Sequence, residues 1–228
     1  MKGIVCNLND VEVIAVRETV AIVPAYNEEN TIGGVLAVLQ DADMIDNIVV
    51  VSDGSTDDTV EVAAFYGAQV IELKENVGKG GAMKAGLDNI TADIILFLDA
   101  DLIGLNSLHI QKLLTPVIND EADMTVGIFD KGRIATDLAQ KVAPYLSGQR
   151  AVDREVLTNI SDLNMSRFGV EVALNRHIEE NNVRVQEVVL EDVSHIMKEE
   201  KFGVLRGFAA RMKMYWEIVK FFAKKEVK

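Results

Sequence analysis

The stretch that decides the fold is TVAIVPAYNEENTIGGVLAVLQ, Thr19–Gln40. Its first six residues, Thr19–Pro24, form a Val- and Ile-rich run with little polar alternation, as in a strand covered on both faces. From Thr31 to Gln40 the period changes, and Ile32, Val35, Leu36 and Leu39 fall on one face of a helix. Strand, polar loop and amphipathic helix make the first part of a βαβ unit. The alternation recurs downstream. Asn47–Ser52 (NIVVVS), Gln69–Leu73 (QVIEL) and Asp93–Leu98 (DIILFL) read as strands. Asp57–Tyr66, stopped by Gly67, and Lys79–Ile90 read as the helices between them. Short connections of this kind predict an α/β fold with a Rossmann-like, mostly parallel central sheet flanked by helices.

The second half is less regular. Asn106–Asn119 predicts a helix with Pro116 in its last turn, and Asp123–Phe129 a strand. Lys131–Gln149 is polar and holds Gly132, Pro144 and Gly148. Arg167–Asn181 is helical, with Val170, Leu174 and Ile178 four apart, and Val183–Leu190 is a strand. There is no internal repeat and no low-complexity linker.

Composition narrows the function. The 228 residues carry 23 Lys and Arg against 36 Asp and Glu, a net charge of −13, which excludes general affinity for a nucleic acid polymer. A single cysteine, Cys6, excludes an internal disulfide and fits a reducing compartment. No run approaches the ~20 apolar residues that span a bilayer, and the acidic N-terminal stretch does not read as a signal peptide. A cytoplasmic protein is expected. The charge is unevenly spread. Lys201–Lys228 holds eight basic and two acidic residues, a net of +6, and the first 200 residues carry a net of −19.

Ligands of open parallel sheets bind beyond the carboxyl ends of the strands. Each of the first four strands ends there in a polar loop: PAYNEE (Pro24–Glu29), SDGSTDDT (Ser52–Thr59), KENVGKGGAMKAG (Lys74–Gly86) and DADL (Asp99–Leu102). In DADL, five apolar residues drive a strand into the core, and Asp99 and Asp101 emerge at its end. By the period-2 rule the two carboxylates point the same way, and like charges this close call for a cation, Mg²⁺ or Mn²⁺ with a phosphate-bearing ligand. Capping of the next turn is the alternative. In NVGKGGA, Gly78, Gly80 and Gly81 let backbone N–H groups approach an anion, and Lys79 adds charge at a helix start. The spacing fits neither the Walker loop nor the dinucleotide fingerprint. Ser55 or Thr56 and, one loop earlier, Asn30 are the expected helix caps. That leaves Tyr26, Glu28, Asp53 and Gly54 for a ligand, with Glu28 and Asp53 as acceptors for base N–H or ribose hydroxyls.

Taken in order, PAYNEE, DGSTDDT, NVGKGGA and DAD resemble the family 2 glycosyltransferases, which use the A-type glycosyltransferase fold. The resemblance covers roughly Thr19 to Leu102. It implies that Pro24, Ala25, Tyr26, Glu28, Asp53 and Gly54 surround the base and ribose of a nucleotide sugar. It places Lys79 near the diphosphate, Asp99 and Ala100 near the ribose, and Asp101, with Asp99, on the metal. Residues 1–200 then form one glycosyltransferase domain, with a nucleotide-sugar half at about 19–102 and an acceptor half at about 103–200. Residues 201–228 form a basic amphipathic C-terminal helix.

The acceptor half carries a second likeness. LSGQRAVDRE (Leu146–Glu155), FGVEVAL (Phe168–Leu174) and SHIM (Ser194–Met197) follow the order seen in glucosyl-3-phosphoglycerate synthase-like enzymes, and Ser-Gly-x-Arg segments occur in polyprenyl-phosphate sugar transferases. The likeness implies that Glu171 lines the sugar and acceptor pocket and that His195 completes the metal shell. Gly132, Arg133 and Thr136 are similar to part of a phosphoglycerate-holding loop, but its glycine run is missing. Ser147, Gly148 and Arg150 join Arg133 and Thr136 as acceptor-side residues, and Arg150 pairs either with an acceptor anion or with Asp153 or Glu155. His109 and His177 fall in helix patterns and read as structural.

The implied enzyme is a metal-dependent hexosyltransferase moving a sugar, glucose first, from a UDP-sugar such as UDP-glucose to a small phosphorylated or hydroxyl acceptor. Glu171, Lys79 and Arg150 are the expected catalytic residues: Lys79 stabilises the leaving diphosphate, Arg150 pairs with an acceptor anion, and Glu171 serves as the base where the acceptor is a hydroxyl. A polyprenyl-phosphate or membrane-lipid acceptor is the first alternative, and a sugar-nucleotide nucleotidyltransferase a remote one. The tail bears on this choice. Leu205, Phe208, Met212, Trp216, Val219 and Phe222 recur at helical spacing among Arg206, Arg211, Lys213, Lys220, Lys224 and Lys225. Such a helix either lies on the inner face of a membrane through residues 202–225 or packs on the domain or on a homodimer partner. Sedimentation with anionic liposomes separates these. Membrane placement predicts binding that is lost on deleting residues 202–228, with turnover of soluble substrates kept. No binding by the intact chain assigns the apolar stripe to a protein contact.

Overall fold

The computed structural model describes residues 17–129, 147–158, 178 and 181–195. The expected C-terminal helix, most of the expected helix Arg167–Asn181, and Arg133, Thr136 and Glu171 lie outside the described residues.

The described chain runs β1 (Thr19–Ala25), α1 (Ile32–Gln40), β2 (Asn47–Ser52), α2 (Thr59–Phe65), β3 (Gln69–Glu72), α3 (Lys79–Asp88) and β4 (Ile94–Phe97). There follow β5 (Leu102–Ile103), α4 (Ser107–Ile118), β6 (Met124–Phe129), β7 (Arg150–Asp153), α5 (Arg154–Thr158), β8 (Val185–Leu190) and β9 (Ser194–His195). Seven strands form one sheet in the order β3-β2-β1-β4-β7-β6-β8, and β5 pairs with β9 in a separate two-stranded sheet. The pairs β3–β2, β2–β1, β1–β4 and β6–β8 are parallel, and β7 runs against both its neighbours. The expected α/β architecture is present, with every anticipated strand start or end within two residues.

Alternate residues of the central strands feed two cores, which is why they read as unbroken apolar runs. In β1, Ala21, Val23 and Ala25 join one core with Ile32, Val35, Leu36 and Leu39 of α1, Ala63 of α2 and Ile110, Leu113 and Leu114 of α4. Val20 and Ile22 join the opposite core with Ala82 and Met83 of α3 and Val156 and Leu157 of α5. In β4, Ile94 and Leu96 face the first core, Ile95 and Phe97 the second, and all four are buried. The carboxyl ends of β1, β2, β3 and β4 share one edge of this three-layer sandwich.

Among the strands of the large sheet, one escaped the sequence pattern. The run RAVD of β7 is short, begins with Arg and follows a polar segment, so periodicity does not mark it. It fits antiparallel between β4 and β6, with Phe97 opposite Arg150 and Ile95 opposite Val152. This insertion brings Ser147–Gln149 to the end of β4.

The placement of α3 depends on close approach to the sheet. A Cβ built on Gly86 would come within 2.8 Å of Ile22 Cγ2 and 3.2 Å of Val51 Cγ2. Gly86→Ala is expected to lower the unfolding free energy by about 1–3 kcal/mol, the usual cost of overpacking a tight core. Urea denaturation checks this, and an unchanged midpoint would show that α3 has room to move.

At the start of α4, Asn106 Oδ1 accepts from His109 N at 3.1 Å, and Asn106 N donates to His109 Nδ1 at 3.3 Å, a reciprocal cap. His109 is buried, as its helix pattern implied. Burial pushes its pKa below the ordinary value, against the raising effect of Glu191. The accepting role of Nδ1 also requires the neutral ring. The unfolded chain takes up this proton near pH 6.5, the folded one only at lower pH. The stability this residue contributes is therefore present above about pH 6.5 and falls as pH drops through that value. Urea midpoints measured at pH 7.5 and 5.5 should differ more for the natural protein than for His109→Asn.

Candidate functional site

At the shared strand edge, the end of β4 delivers the two aspartates. The strand stops at Phe97 and Leu98 is fully buried, so Asp99 and Asp101 emerge in the turn that follows. Their meeting owes to this turn rather than to the pleat of a continuing strand. Both side chains keep about one-fifth of their surface exposed.

Asp99 is held from two sides. Lys79 Nζ lies 2.7 Å from Asp99 Oδ1, and Gln149 Nε2 donates to Asp99 Oδ2 at 2.9 Å. Burial alone would raise the pKa of Asp99. The charge and hydrogen bond of Lys79, with smaller contributions from His195 and Gln149, outweigh it and hold the carboxyl below its ordinary value. Asp99 is thus a carboxylate at neutral pH.

His195 reaches the site from β9. Pairing of Leu102 with His195 and Ile103 with Ser194 draws the histidine alongside the DADL turn. His195 Nδ1 lies 3.1 Å from Asp101 Oδ1, and Phe129 packs against the imidazole edge-on with ring centres 4.8 Å apart. One ligand atom from each of Asp99, Asp101 and His195 lies within 4.8 Å of the others. Donors around one octahedral ion with bonds near 2.1 Å stand roughly 3–4.2 Å apart. A small contraction of this group therefore fits a single Mg²⁺ or Mn²⁺, and the two carboxylates supply the oxygen ligands such ions prefer.

The second strand end builds the floor of the adjoining loop. Asp53 is 3% exposed, and its two carboxylate oxygens accept from Val77 N at 2.7 Å and Gly78 N at 2.9 Å. Asp53 therefore fixes the loop that starts α3. One accepting lone pair per oxygen remains for a ligand. Gly54 is needed at this contact: it has φ +71°, and an added Cβ would come within 2.8 Å of Asn76 N. Helix α3 begins at Lys79 after Gly78, which has φ +89°. Gly78 makes no side-chain cap at this end, and the Lys79 ammonium stands at the helix start against Asp99.

The loops after β1 and β2 are sewn to each other. Asn27, with φ +54°, donates from N to Ser55 Oγ and accepts from Thr56 N at 2.8 Å. Glu28 N donates to Thr59 Oγ1, Glu29 N to Asp57 Oδ2, and Asp58 N to Glu29 Oε2. These bonds correct the expected caps. Ser55 and Thr56 bind the neighbouring loop, and the residue before α2 is Asp58. The residue before α1 is Thr31 rather than Asn30, and its hydroxyl donates to Glu28 Oε2 at 2.7 Å. Tyr26 stands 43% exposed at the top of this double loop, Pro24 is half-buried, and Ala25 and Ala100 are buried beside it.

On the other side, Ser147–Arg150 form a wall. A Cβ on Gly148 would run into Lys79 Nζ and come within 2.9 Å of both Asp99 oxygens, so only glycine lets this wall close on the ion pair. Ser147 Oγ bonds the carbonyl of Gly127, and Arg150 Nε donates to the carbonyl of Ser147 at 2.8 Å. Arg150 is 1% exposed. Of the site residues anticipated from sequence, Asp99, Asp101, His195, Lys79, Ser147, Gly148 and Arg150 gather at this end of β4, and Tyr26, Glu28, Asp53 and Gly54 at the adjoining loops. Sequence reading missed Gln149 and Phe129. Gln149 is flanked by singled-out residues, and its complete burial is the signal that only the fold supplies.

Comparison with known proteins agrees with this geometry. The model of the family described as glycosyl transferase family 2 matches residues 20–178. The glucosyl-3-phosphoglycerate synthase of Mycolicibacterium smegmatis is 30% identical over 200 residues, which cover 72% of this chain and 65% of that protein. The chain spans just under two thirds of the length of the first such relatives. Two crystal structures of the Mycobacterium tuberculosis synthase are 28% identical and cover 79% of this chain and 72% of theirs. One, with Mn²⁺, UDP and glucosyl-3-phosphoglycerate, superposes with a TM-score of 0.68. The other, with Mn²⁺, UDP-glucose and glycerol 3-phosphate, gives 0.67.

Proposed function

The chain belongs to glycosyl transferase family 2, and from that premise we propose that it transfers glucose from UDP-glucose to a small phosphorylated acceptor. The observation that carries this reading is the meeting of Asp99, Asp101 and His195 beside Lys79 at the end of β4. The donor and acceptor classes rest on the M. tuberculosis synthase, solved with Mn²⁺, UDP-glucose and phosphoglyceric acid.

In this reading Asp101 and His195, with Asp99, hold Mn²⁺ or Mg²⁺. The bound ion supplies positive charge to the leaving diphosphate. The chain's own residues do the rest. Lys79 and the N–H groups opening α3 attract the diphosphate, and Asp53 keeps their loop in place. Pro24, Ala25, Tyr26, Glu28, Gly54 and Ala100 flank the nucleoside. Ser147 and Gly148 face the acceptor, and Arg150 positions them from behind through the Ser147 carbonyl. Arg133, Thr136 and Glu171 complete the acceptor side, with Glu171 as base for a hydroxyl. A lipid-linked acceptor draws support from the basic, amphipathic pattern of residues 202–225 and from the Ser-Gly-x-Arg run Ser147–Arg150. Among the described residues no helix is long and apolar enough to cross a membrane. The family match leaves no ground for the nucleotidyltransferase reading.

The test is UDP release from UDP-glucose with 3-phosphoglycerate as acceptor. Turnover is expected with Mn²⁺ and should vanish in EDTA. Asp101→Ala is expected to lose at least ~100-fold in kcat while unfolding at an unchanged urea midpoint. Full activity of that variant, or of the natural protein in EDTA, refutes the metal role. Turnover on a polyprenyl phosphate but not on phosphoglycerate moves the acceptor to the lipid class.

A further inference from the structure

His195 is not carried by the large sheet. It sits in β9, a two-residue strand whose backbone meets the DADL turn through its pairing with β5, beside the contact of the imidazole with Asp101. Ser194 and His195 are both exposed, so their own burial does not hold them. What holds β9 is the turn before it. Val193 is 2% exposed and anchors in the core. Just ahead of it, Asp192 turns the chain with φ +57°, and its carbonyl lies directly against Gly104, the residue after β5. An ideal Cβ on Gly104 would overlap the Asp192 oxygen and approach its carbonyl carbon to 3.2 Å. Gly104 itself has φ +82°, where a side chain is strained regardless of space. One residue earlier, Glu191 is fastened to α4 by Lys112 Nζ at 2.8 Å, with His109 Nε2 at 3.9 Å. The turn is thus pinned at its core side, at its backbone and at its surface.

We propose that Gly104 is a positioning residue for the cation site, acting through His195. Its missing side chain lets the Asp192 turn close on β5, and this closure sets the register that brings the imidazole to Asp101. The Lys112–Glu191 pair is a second, weaker fastener of the same turn. The inference rests on the metal reading above and extends it to residues that bear no ligand atom. A side chain at position 104 would push the turn outward and carry β9 with it. His195 would then leave the cluster while Asp99, Asp101 and Lys79, held by β4 and α3, stay in place. Supporting residues of metal ligands typically change affinity by about 10–100-fold.

The measurement is Mn²⁺ binding at saturating UDP, read from the loss of the free-ion paramagnetic resonance signal. UDP binding in EDTA is the control. His195→Ala, Gly104→Ala and the double variant form a cycle. His195→Ala is expected to weaken Mn²⁺ binding ~10-fold or more, Gly104→Ala about as much, and the double variant no more than His195→Ala alone. UDP binding in EDTA should be unchanged throughout. Natural Mn²⁺ affinity in Gly104→Ala, or a loss that adds in full to that of His195→Ala, overturns the proposal. If His195→Ala and Asp101→Ala both bind Mn²⁺ as the natural protein does, the metal reading itself fails. Should Gly104→Ala not fold, the Lys112–Glu191 pair decides. Lys112→Glu and Glu191→Lys should each weaken Mn²⁺ binding a few-fold at low salt, and their combination should restore it. Natural affinity in both single variants would overturn the positioning role of the turn.

Discussion

The structure turns on the ion pair between Lys79 and Asp99 at the end of a fully buried strand. A carboxylate emerging from the core is costly unless its charge is answered nearby. Lys79 answers it at 2.7 Å and Gln149 takes the other oxygen. Much of the surrounding architecture follows from making that contact. Helix α3 must lie close on the sheet to bring Lys79 forward, which is why Gly86 faces Ile22 and Val51. The loop before α3 must be fixed, and the buried Asp53 carboxylate fixes it. The wall beyond must approach without a side chain, and Gly148 allows this. Three elements distant in sequence thus converge on one carboxylate.

The parallel half of the fold was legible because burial on both faces writes itself as continuous Val and Ile runs, and amphipathic helices mark the gaps. Strand β7 was not legible. It is four residues long, its first side chain is an arginine, and its place is set by the neighbours on either side. The same holds for β5 and β9, two residues each, which no periodicity can signal. Asp99 and Asp101 could be singled out as a pair, since charge directly after an apolar run is conspicuous. The mechanism of their meeting could not, because it depends on where the strand stops. His195 illustrates the remaining gap. Nothing local distinguishes it, and only likeness to a family brought it forward. Its partner Phe129 and the pinned turn at Gly104 appear once the chain is folded.

The polar loops show how one residue serves two ends. Sequence logic assigned Ser55, Thr56 and Asn30 to helix caps, since these types accept from exposed N–H groups. In the fold the same accepting capacity joins neighbouring loops. Asn27 adopts a left-handed backbone and exchanges bonds with Ser55 and Thr56, while Asp57 accepts from Glu29 and Thr59. Rigid loops at the strand edge give a ligand a preorganised surface, so less ordering entropy is lost on binding. A helix cap would have stabilised one helix. The cross-links stabilise the position of two loops relative to each other, which is the geometry that a nucleotide would need.

The charge distribution sets the remaining condition. An acidic body is an unfavourable host for an anionic donor, and among the described residues the lysine beside the strand end, Lys79, is already committed to Asp99. For Lys79 to turn toward a diphosphate, another positive charge has to answer Asp99 and Asp101. The helix N-terminus cannot do so on this reading, because its N–H groups would be donors to the same anion. Imidazole cannot do so unless protonated, and a protonated His195 would offer no ligand atom. On the proposed reading Asp99, Asp101 and His195 would hold a divalent cation, whose charge would answer the two carboxylates and leave Lys79 available to the donor. Binding of cation and of nucleotide sugar should then be mutually reinforcing, since each removes a repulsion or an ion pair that opposes the other. On the same reading, His195 and a firmly held turn would both be required. With two carboxylates alone, the affinity of the ion would rest on charge, and the third ligand supplies the geometry.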